Sequence, residues 1–310
     1  MPEQLAHAGQ SVAVKIKSLV YRVQSVSDFV EHIMHWTRKG QRPVAFRGER
    51  FKSWQTQPKV FRPEVGLYNH EKKAVRDLIS IHPQEFYNDE TMFDRLVRMQ
   101  HFGLPTRLLD VTTNPLVALY FASEKHQEDS VAQDGKVQAL FLPEERQRYF
   151  DSDRVSCMAN LANLTVEEKK EMAEAYKLDK DEFNQARVVK RLLWFVRLEK
   201  PHFEPKIDPK QLRQPVFVKP KMSNRRIIAQ SGAFLIYGAR RLRTREIDTD
   251  LGLSSAIVPA DKKAEIRDQL ERLGIHASSL FPEIDKAAGF IVKRYTDGSS
   301  QNALRKKSFQ

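Results

Sequence analysis

One short stretch of the chain combines several groups that can bind or transform a phosphorylated ligand. Asp110 supplies a carboxylate, and Thr112 and Thr113 supply hydroxyl groups shortly after it. Asn114 is a preferred N-cap residue and Pro115 suits the first helical position, so backbone N–H groups become free at the same point. These groups together suit a ligand that bears a phosphate or a ribose. The alternative interpretation is an ordinary strand–turn–helix junction.

Two flanking positions could extend such a site. Arg47 and Gly48 end a short apolar segment. A guanidinium at a strand end matches phosphate oxygens, and a neighbouring glycine lets a ligand approach the backbone. Arg47 could instead be an internal salt-bridge partner. His101 stands at a predicted helix end, where it caps the helix or serves as a ligand-binding group or base.

The elements that must position these groups are short and mixed in type. Apolar periodicity predicts strands over residues 14–21, 44–48, 107–109, 135–142, 211–219, 224–230, 233–237 and 255–259, and within 188–198. It predicts helices over residues 27–38, 69–81, 91–100, 165–175, 179–191, 261–273 and 283–295, and from Asn114 onward. Ser231 and Gly232 are predicted to form a hairpin turn. Strands and helices without regular βαβ repetition predict an α+β fold.

The positive charge of the chain is concentrated in one segment. The net charge is +12, and residues 187–245 hold 16 Lys and Arg against 3 Asp and Glu. Such a segment favours a polyanionic partner, with RNA or DNA first. The predicted nucleic-acid-binding residues are Arg225, Arg226, Arg240, Arg241, Arg243 and Arg245. The alternatives are a solvated basic face and a surface for an acidic protein.

Several classes of protein are disfavoured by composition. No long apolar run or apolar signal core occurs, so we expect no membrane partner and a cytoplasmic location. Cys157 is the single cysteine and is predicted to be a buried structural thiol, and no Cys/His spacing suggests a metal site. Trp54 could stack on a base, although a core position is the favoured interpretation. Glu71 and Glu90 are predicted to face solvent.

Five stretches of the sequence together resemble the FRG-domain family. They are Phe46-Arg47-Gly48, residues 101–122, residues 153–162, residues 224–234 and Ser279-Leu280-Phe281-Pro282. The resemblance runs from about Val44 to Tyr295. It implies one domain over residues 14–295 with a helical insertion at about 155–191, and tails at 1–13 and 296–310 that we expect to be disordered.

The first two of these stretches are also similar to ADP-ribosyltransferases. That similarity implies a split, mostly antiparallel sheet with helical insertions and an NAD-sized cleft, with NAD as substrate and no metal. Arg47, Gly48, His101, Thr112, Thr113 and Asn114 would bind NAD. The family carries a catalytic Glu about six residues before a Gly on a third strand, but Arg226 stands there relative to Gly232. Asp110 and Gln230 are therefore the candidate catalytic residues.

Three alternatives for function remain open, of which the resemblance implies the first two. The first is an NAD-dependent ADP-ribosyltransferase that modifies nucleic acid, with RNA favoured over DNA. The second is a non-catalytic module that binds a nucleotide or nucleic acid. The third, which rests on the residues themselves, is a nuclease or other phosphate-handling enzyme that uses Asp110 and His101. FRG-like proteins also suggest a bacterial toxin, including one used in phage defence, with an acidic antitoxin or a chaperone as partner.

Overall fold

The computed structural model describes residues 21–38, 40–240, 251–283, 288, 289, 292 and 295. Its α-helices are α1 (Val26–Met34), α2 (Glu71–Ile81), α3 (Met92–His101), α4 (Pro115–Ala122), α5 (Asp153–Asn160), α6 (Val166–Ala175), α7 (Lys180–Gln185), α8 (Arg187–Glu199), α9 (Pro209–Arg213), α10 (Arg225–Ala229), α11 (Lys263–Arg272) and α12 (Ala277–Leu280). Its strands are β1 (Tyr21–Arg22), β2 (Ala45–Glu49), β3 (Leu108–Thr112), β4 (Gln127–Glu128), β5 (Val131–Ala132), β6 (Gly135–Leu140), β7 (Gln147–Tyr149), β8 (Val216–Lys219), β9 (Gly232–Ile236) and β10 (Leu253–Val258).

Eight of the strands form one mixed sheet in the order β1-β10-β6-β2-β3-β9-β8-β7. The β1–β10 and β7–β8 pairs are parallel, and the other five pairs are antiparallel. Strands β4 and β5 form a separate hairpin. The predicted α+β class is confirmed, with a sheet that is mostly antiparallel.

The centre of the sheet is its weakest seam. Strand β2 pairs with β6 at five positions, and β3 pairs with β9 at five positions. Between β2 and β3, however, the register contains only Phe46 opposite Thr112. The sheet therefore has two four-stranded halves, β1-β10-β6-β2 and β3-β9-β8-β7. They are paired at one residue position, and β2 and β3 form no further ladder pair beyond it.

Three apolar clusters cover the two faces of the sheet. The largest packs α2, α3 and α5 to α8 against one half of the sheet. The second packs α1, α4 and α11 against β6 and β10. Along β3, Leu108 belongs to the first cluster, whereas Leu109 and Val111 belong to the third on the opposite face. Because side chains alternate along a strand, Asp110 shares the face of Leu108.

Two predicted strands are helices. Residues 188–198 lie in α8, whose buried positions recur at helical spacing through Val189, Leu193 and Val196. Residues 225–229 form α10, because the side-chain oxygen of Asn224 accepts a hydrogen bond from the N–H of Arg226 at 2.7 Å and caps a helical turn. The predicted hairpin is accordingly wrong, since a helix and not a strand precedes β9.

Some sequence predictions fall outside the described residues. These are both tails, the predicted strand at 14–21 apart from Tyr21, and most of the predicted helix at 283–295. The segment 155–191 is built of α5 to α8, whose buried side chains form much of the largest cluster. Across the part of the chain that the structure covers, no helix has the length and apolarity needed to cross a membrane.

Candidate functional site

A cleft of about 480 Å³ opens at the seam between β2 and β3. Its walls come from β2, β3, β9, α3, α10 and the end of α4. A cavity of about 600 Å³ beside α5 and α9 is larger, but it contains none of the predicted site residues. The cleft at the seam contains seven of them, namely Arg47, Gly48, His101, Asp110, Thr112, Arg226 and Gln230.

Arg47 is held in the cleft wall by two contacts. Its Nε donates to Oε1 of Glu49 at 3.0 Å, and its Nη1 donates to the backbone carbonyl of Asp110 at 2.6 Å. Glu49 is almost fully buried and also lies 3.0 Å from Nζ of Lys136. The Nη2 group of Arg47 has no hydrogen-bond partner among the described residues, so it is available to an anion. Arg47 is both an internal salt-bridge partner and a cleft-lining cation.

Asp110 projects from β3 into the cleft and is exposed. Its Oδ2 accepts a hydrogen bond from Nε2 of Gln100 at 2.9 Å. Gln100 is oriented in turn by Thr106, whose hydroxyl donates to the amide oxygen at 2.9 Å. One carboxylate oxygen is thus fixed by α3, and the carboxylate stays accessible to a ligand.

Thr112 and Gln230 connect the strand end to the opposite wall. The hydroxyl of Thr112 donates to the backbone carbonyl of Gln230 at 2.7 Å and accepts from the N–H of Asn114 at 3.0 Å. The side chain of Gln230 donates to the carbonyl of Leu280 at 2.9 Å. Both side chains are therefore engaged in holding the walls. Gln230 lies at the C-terminal end of α10, not on the predicted third strand.

His101 ends α3 and lines the cleft. Its Nε2 lies 3.8 Å from Oε1 of Glu283. Burial lowers the pKa of His101 below its ordinary value and the charge of Arg226 lowers it further, although Glu283 acts in the opposite direction. Both carboxylate oxygens of Glu283 are buried and accept no hydrogen bond from any described residue. His101 is therefore a neutral imidazole near pH 7.

Three predicted ligand-binding positions have structural tasks. A Cβ on Gly48 would lie 1.8 Å from the carbonyl oxygen of Ala118 in α4, so this glycine permits close packing of strand on helix. Asn114 caps α4 by accepting from the N–H of Leu116 at 2.9 Å, as predicted. The hydroxyl of Thr113 donates to the carbonyl of Ser231 at 3.3 Å, and Thr113 does not line the cleft.

Sequence reasoning missed a group of charged residues in the cleft wall. Arg50, Lys59 and Arg62 add three cations, and Glu124 adds a carboxylate. Together with the predicted residues, five Lys or Arg side chains and two carboxylates line the cleft. Burial and then the charge of Arg47 lower the pKa of Arg62. Trp54 is a partly buried wall residue rather than a core residue.

The described members of the predicted nucleic-acid-binding set do not share one site. Arg226 lines the cleft, whereas Arg225 is exposed and does not line it. Arg240 donates to the carbonyl of Phe61 at 3.1 Å and does not line the cleft. Arg241, Arg243 and Arg245 lie outside the described residues.

Comparison with known proteins identifies one part of the chain. No curated protein and no solved structure matches the chain. The family model of the FRG domain matches residues 42–130, which include β2, α3, β3 and α4 but not the later stretches at 224–234 and 279–282. Arg47, His101, Asp110 and Thr112 thus all belong to the matched segment. The chain contains an FRG domain over residues 42–130.

Proposed function

We propose that the protein is an NAD-dependent ADP-ribosyltransferase that modifies nucleic acid, with RNA as the favoured acceptor. The observation that carries this proposal is the convergence of Arg47, Asp110 and Gln230 on one cleft that is rich in cations. The cleft volume of about 480 Å³ falls within the usual range of small-molecule sites. An excess of Lys and Arg over carboxylates suits a ligand with two phosphates.

In the proposed reaction, the bond between nicotinamide and C1′ of the ribose breaks, and its electron pair leaves with nicotinamide. Positive charge then develops on the ribose, which the carboxylate of Asp110 stabilises. The acceptor oxygen or nitrogen forms a bond to C1′ and loses a proton. His101, as a neutral imidazole, is suited to take that proton.

The chain's own contacts support distinct tasks for the remaining wall residues. The free Nη2 of Arg47 is suited to the diphosphate because guanidinium N–H groups match phosphate oxygens. Thr112 and Gln230 hold the two walls at a fixed separation through their hydrogen bonds. The exposed Arg225 and the basic segment around it would attract the polyanionic acceptor.

The biological setting belongs to the same proposal. A transferase that modifies RNA would act as a bacterial toxin, including in phage defence, and would be held inactive by an antitoxin or chaperone with an acidic surface. The motivation is the resemblance to FRG-like proteins and the local excess of 16 basic over 3 acidic residues in 187–245.

The test is incubation of the purified protein with NAD labelled on the adenylate phosphate, in separate tubes with cellular RNA, DNA and protein. Asp110→Asn preserves the shape of the side chain and the contact with Gln100, and we expect it to lower transfer by about 100-fold or more. Asp268→Asn is the matched control, since Asp268 is a surface carboxylate that is 61% exposed. Thermal unfolding of each variant establishes that it is folded.

Each outcome of this test has a defined meaning. Label on RNA that depends on Asp110 supports the proposal, whereas label on DNA or protein changes the acceptor. Nicotinamide release without transfer would indicate a glycohydrolase. Intact NAD in every tube would reject the enzyme and favour a non-catalytic nucleotide-binding module. That second candidate is supported by Arg226, which occupies the position six residues before Gly232 where a catalytic Glu is expected.

A further inference from the structure

Trp54 is the one tryptophan among the residues that line the cleft. Its indole lies beside two other rings, with ring centroids 6.3 Å from Phe51 and 5.4 Å from His126. The guanidinium of Arg50 lies 5.3 Å from the indole centroid. Trp54 is partly buried and belongs to none of the three apolar clusters. An indole in a cleft wall that is supported by neighbouring rings is suited to stack on a planar ligand through the face that the Arg50 guanidinium does not cover.

The loop that carries Trp54 is anchored to the sheet. Nζ of Lys136 donates to the backbone carbonyl of Trp54. Two residues further on, the hydroxyl of Thr56 donates to the side chain of Gln138 at 2.5 Å. Lys136 and Gln138 are both buried residues of β6. The backbone of the loop at Trp54 is therefore held by the same strand that pairs with β2.

Glu49 links this loop to Arg47. Its Oε1 accepts from Nε of Arg47 at 3.0 Å, and its Oε2 lies 3.0 Å from Nζ of Lys136. Glu49 is only 2% exposed, so both contacts are shielded from water. A single buried carboxylate thus contacts both the Arg47 guanidinium and, through Lys136, the backbone of Trp54. Within a nucleotide the phosphate and the base are linked covalently. One nucleotide can therefore contact Arg47 with its phosphate and Trp54 with its base.

We propose that Trp54 is the stacking platform for the adenine base of the dinucleotide, in a sub-site that Glu49 holds in register with the diphosphate-binding Arg47. This inference rests on the proposed function and deepens it. The adenine lies against Trp54 at one end of the cleft, the diphosphate lies at Arg47, and the reacting ribose lies at the end formed by Asp110 and His101. Glu49 is a positioning residue, because it acts through Arg47 and Lys136.

The test uses ADP-ribose, which carries adenine and diphosphate but no nicotinamide and therefore does not react. Its affinity is measured by calorimetry for the full chain, for Trp54→Ala and for Trp194→Ala. Trp194 is the matched control, since it is 52% exposed on α8 and does not line the cleft. We expect Trp54→Ala to weaken binding by about 5- to 150-fold, the range observed for loss of one base stack, and Trp194→Ala to leave it unchanged.

Indole fluorescence supplies a second readout in the same samples. ADP-ribose and AMP are expected to quench the emission of the wild-type protein, and ribose 5-phosphate, which lacks the base, is not. Trp54→Phe keeps an aromatic ring in place, so the variant is expected to remain folded and to lose the quenching while retaining part of the affinity.

The possible failures are distinguishable. If ADP-ribose binds the wild type but Trp54→Ala binds it equally well, the stacking inference is overturned and the proposed function survives. If an RNA oligonucleotide quenches Trp54 while ADP-ribose does not, the indole belongs to the acceptor and the inference is again overturned. If ADP-ribose produces neither heat nor quenching with folded wild-type protein, both the sub-site and the proposed NAD site are rejected.

Discussion

Arg47 and His101 show how neighbouring charges define what a cleft residue can do. Arg47 uses two of its donor groups on Glu49 and on the carbonyl of Asp110, which fixes the guanidinium and leaves Nη2 available. His101 faces two opposing influences, the cation of Arg226 and the carboxylate of Glu283. Burial and the charge of Arg226 both lower the pKa of His101, which favours the neutral imidazole. The neutral imidazole is the form that can accept a proton.

The first prediction concerns the pKa of His101. Arg226, Arg98 and Glu283 are the charged groups that act on it, and burial is the largest influence. We expect NMR titration to give a pKa below the ordinary value of about 6.5. Glu283→Gln removes the one group among these that favours the cation, so the pKa falls further.

The resonance of His101 is assigned with His101→Gln. Glu265→Gln, a change at a half-exposed carboxylate on α11, is the control and is expected to leave the pKa unchanged. A pKa at or above the ordinary value in the wild type, or a rise in Glu283→Gln, contradicts the assignment of charges around the imidazole.

Helix α4 lies unusually close to the sheet because two adjacent strands present glycines to it. A Cβ on Gly48 of β2 would lie 1.8 Å from the carbonyl oxygen of Ala118, and one on Gly135 of β6 would lie 2.1 Å from that of Ala122. Both contacts are with helix backbone, which cannot move aside as a flexible side chain can. The close approach holds α4, and with it the end of β3, against β2 at the seam that forms the cleft.

The second prediction follows from this packing. Gly48→Ala is expected to destabilise the fold by about 3 kcal/mol or more, because the added methyl group must displace the α4 backbone. Thermal or urea unfolding measures the loss. Gly289→Ala is the control, since no residue that the structure describes lies within 4 Å of its added Cβ. Equal stability of Gly48→Ala and wild type would refute the close-packing account.

A buried ion cluster joins elements that are distant in the sequence. Glu71 of α2 accepts from Nε and Nη2 of Arg107 at 3.0 and 2.7 Å and from Nζ of Lys169 at 2.8 Å. Arg107 also donates to the carbonyl of Tyr237 at 3.1 Å, just after β9. Glu71 is only 2% exposed, so its predicted position at the solvent is wrong. The cluster fixes α2, α6, β3 and β9 to one another behind the cleft.

The third prediction is that Glu71→Gln destabilises the protein by about 3–5 kcal/mol near pH 7, because two buried cations lose their partner. Burial raises the pKa of Glu71, but Arg107 and Lys169 outweigh it and hold the pKa below its ordinary value. The stabilisation is therefore present above the pKa of the unfolded chain and is lost as the pH falls through the folded value.

Urea denaturation at several pH values measures this effect. The difference between wild type and Glu71→Gln should begin to narrow as the pH falls below the ordinary glutamate pKa of about 4.3, and it should go on narrowing until the pH has passed the lower pKa of the folded carboxylate. Glu174→Gln is the control, because that carboxylate is 72% exposed and pairs only with the exposed Lys177. A pH-independent difference would mean that the carboxylate charge is not what stabilises the cluster.

Several basic residues of the positively charged segment 187–245 pair with carboxylates of other elements in the folded protein. In the segment 187–245, Arg187, Arg191 and Lys221 form ion pairs with carboxylates of α6, of the loop before α3 and of α3 itself. The local excess counted from the sequence is thus partly neutralised by acidic residues from other elements.

Local chemistry was sufficient to predict the central motif of the fold. The cap at Asn114, the proline at the start of α4 and the strand before it all depend on hydrogen bonds and backbone preferences within a few residues. The strand that ends with Arg47 and Gly48 was predicted for the same reason. The buried Cys157 followed from its apolar neighbours and is confirmed.

Only the tertiary structure decided which side chains share the cleft. Strands β2, β3, β6 and β9 are neighbours in the sheet but are scattered along the chain, so no spacing in the sequence reports their order. That order brings Trp54, Arg62 and Glu124 to Asp110 and sends Gly48 against α4. Two apolar segments predicted as strands are helices for different reasons: α8 buries Val189, Leu193 and Val196 on one face, whereas α10 begins at the side-chain cap of Asn224. Short-range hydrogen bonding defines an element, whereas burial between distant elements defines a site.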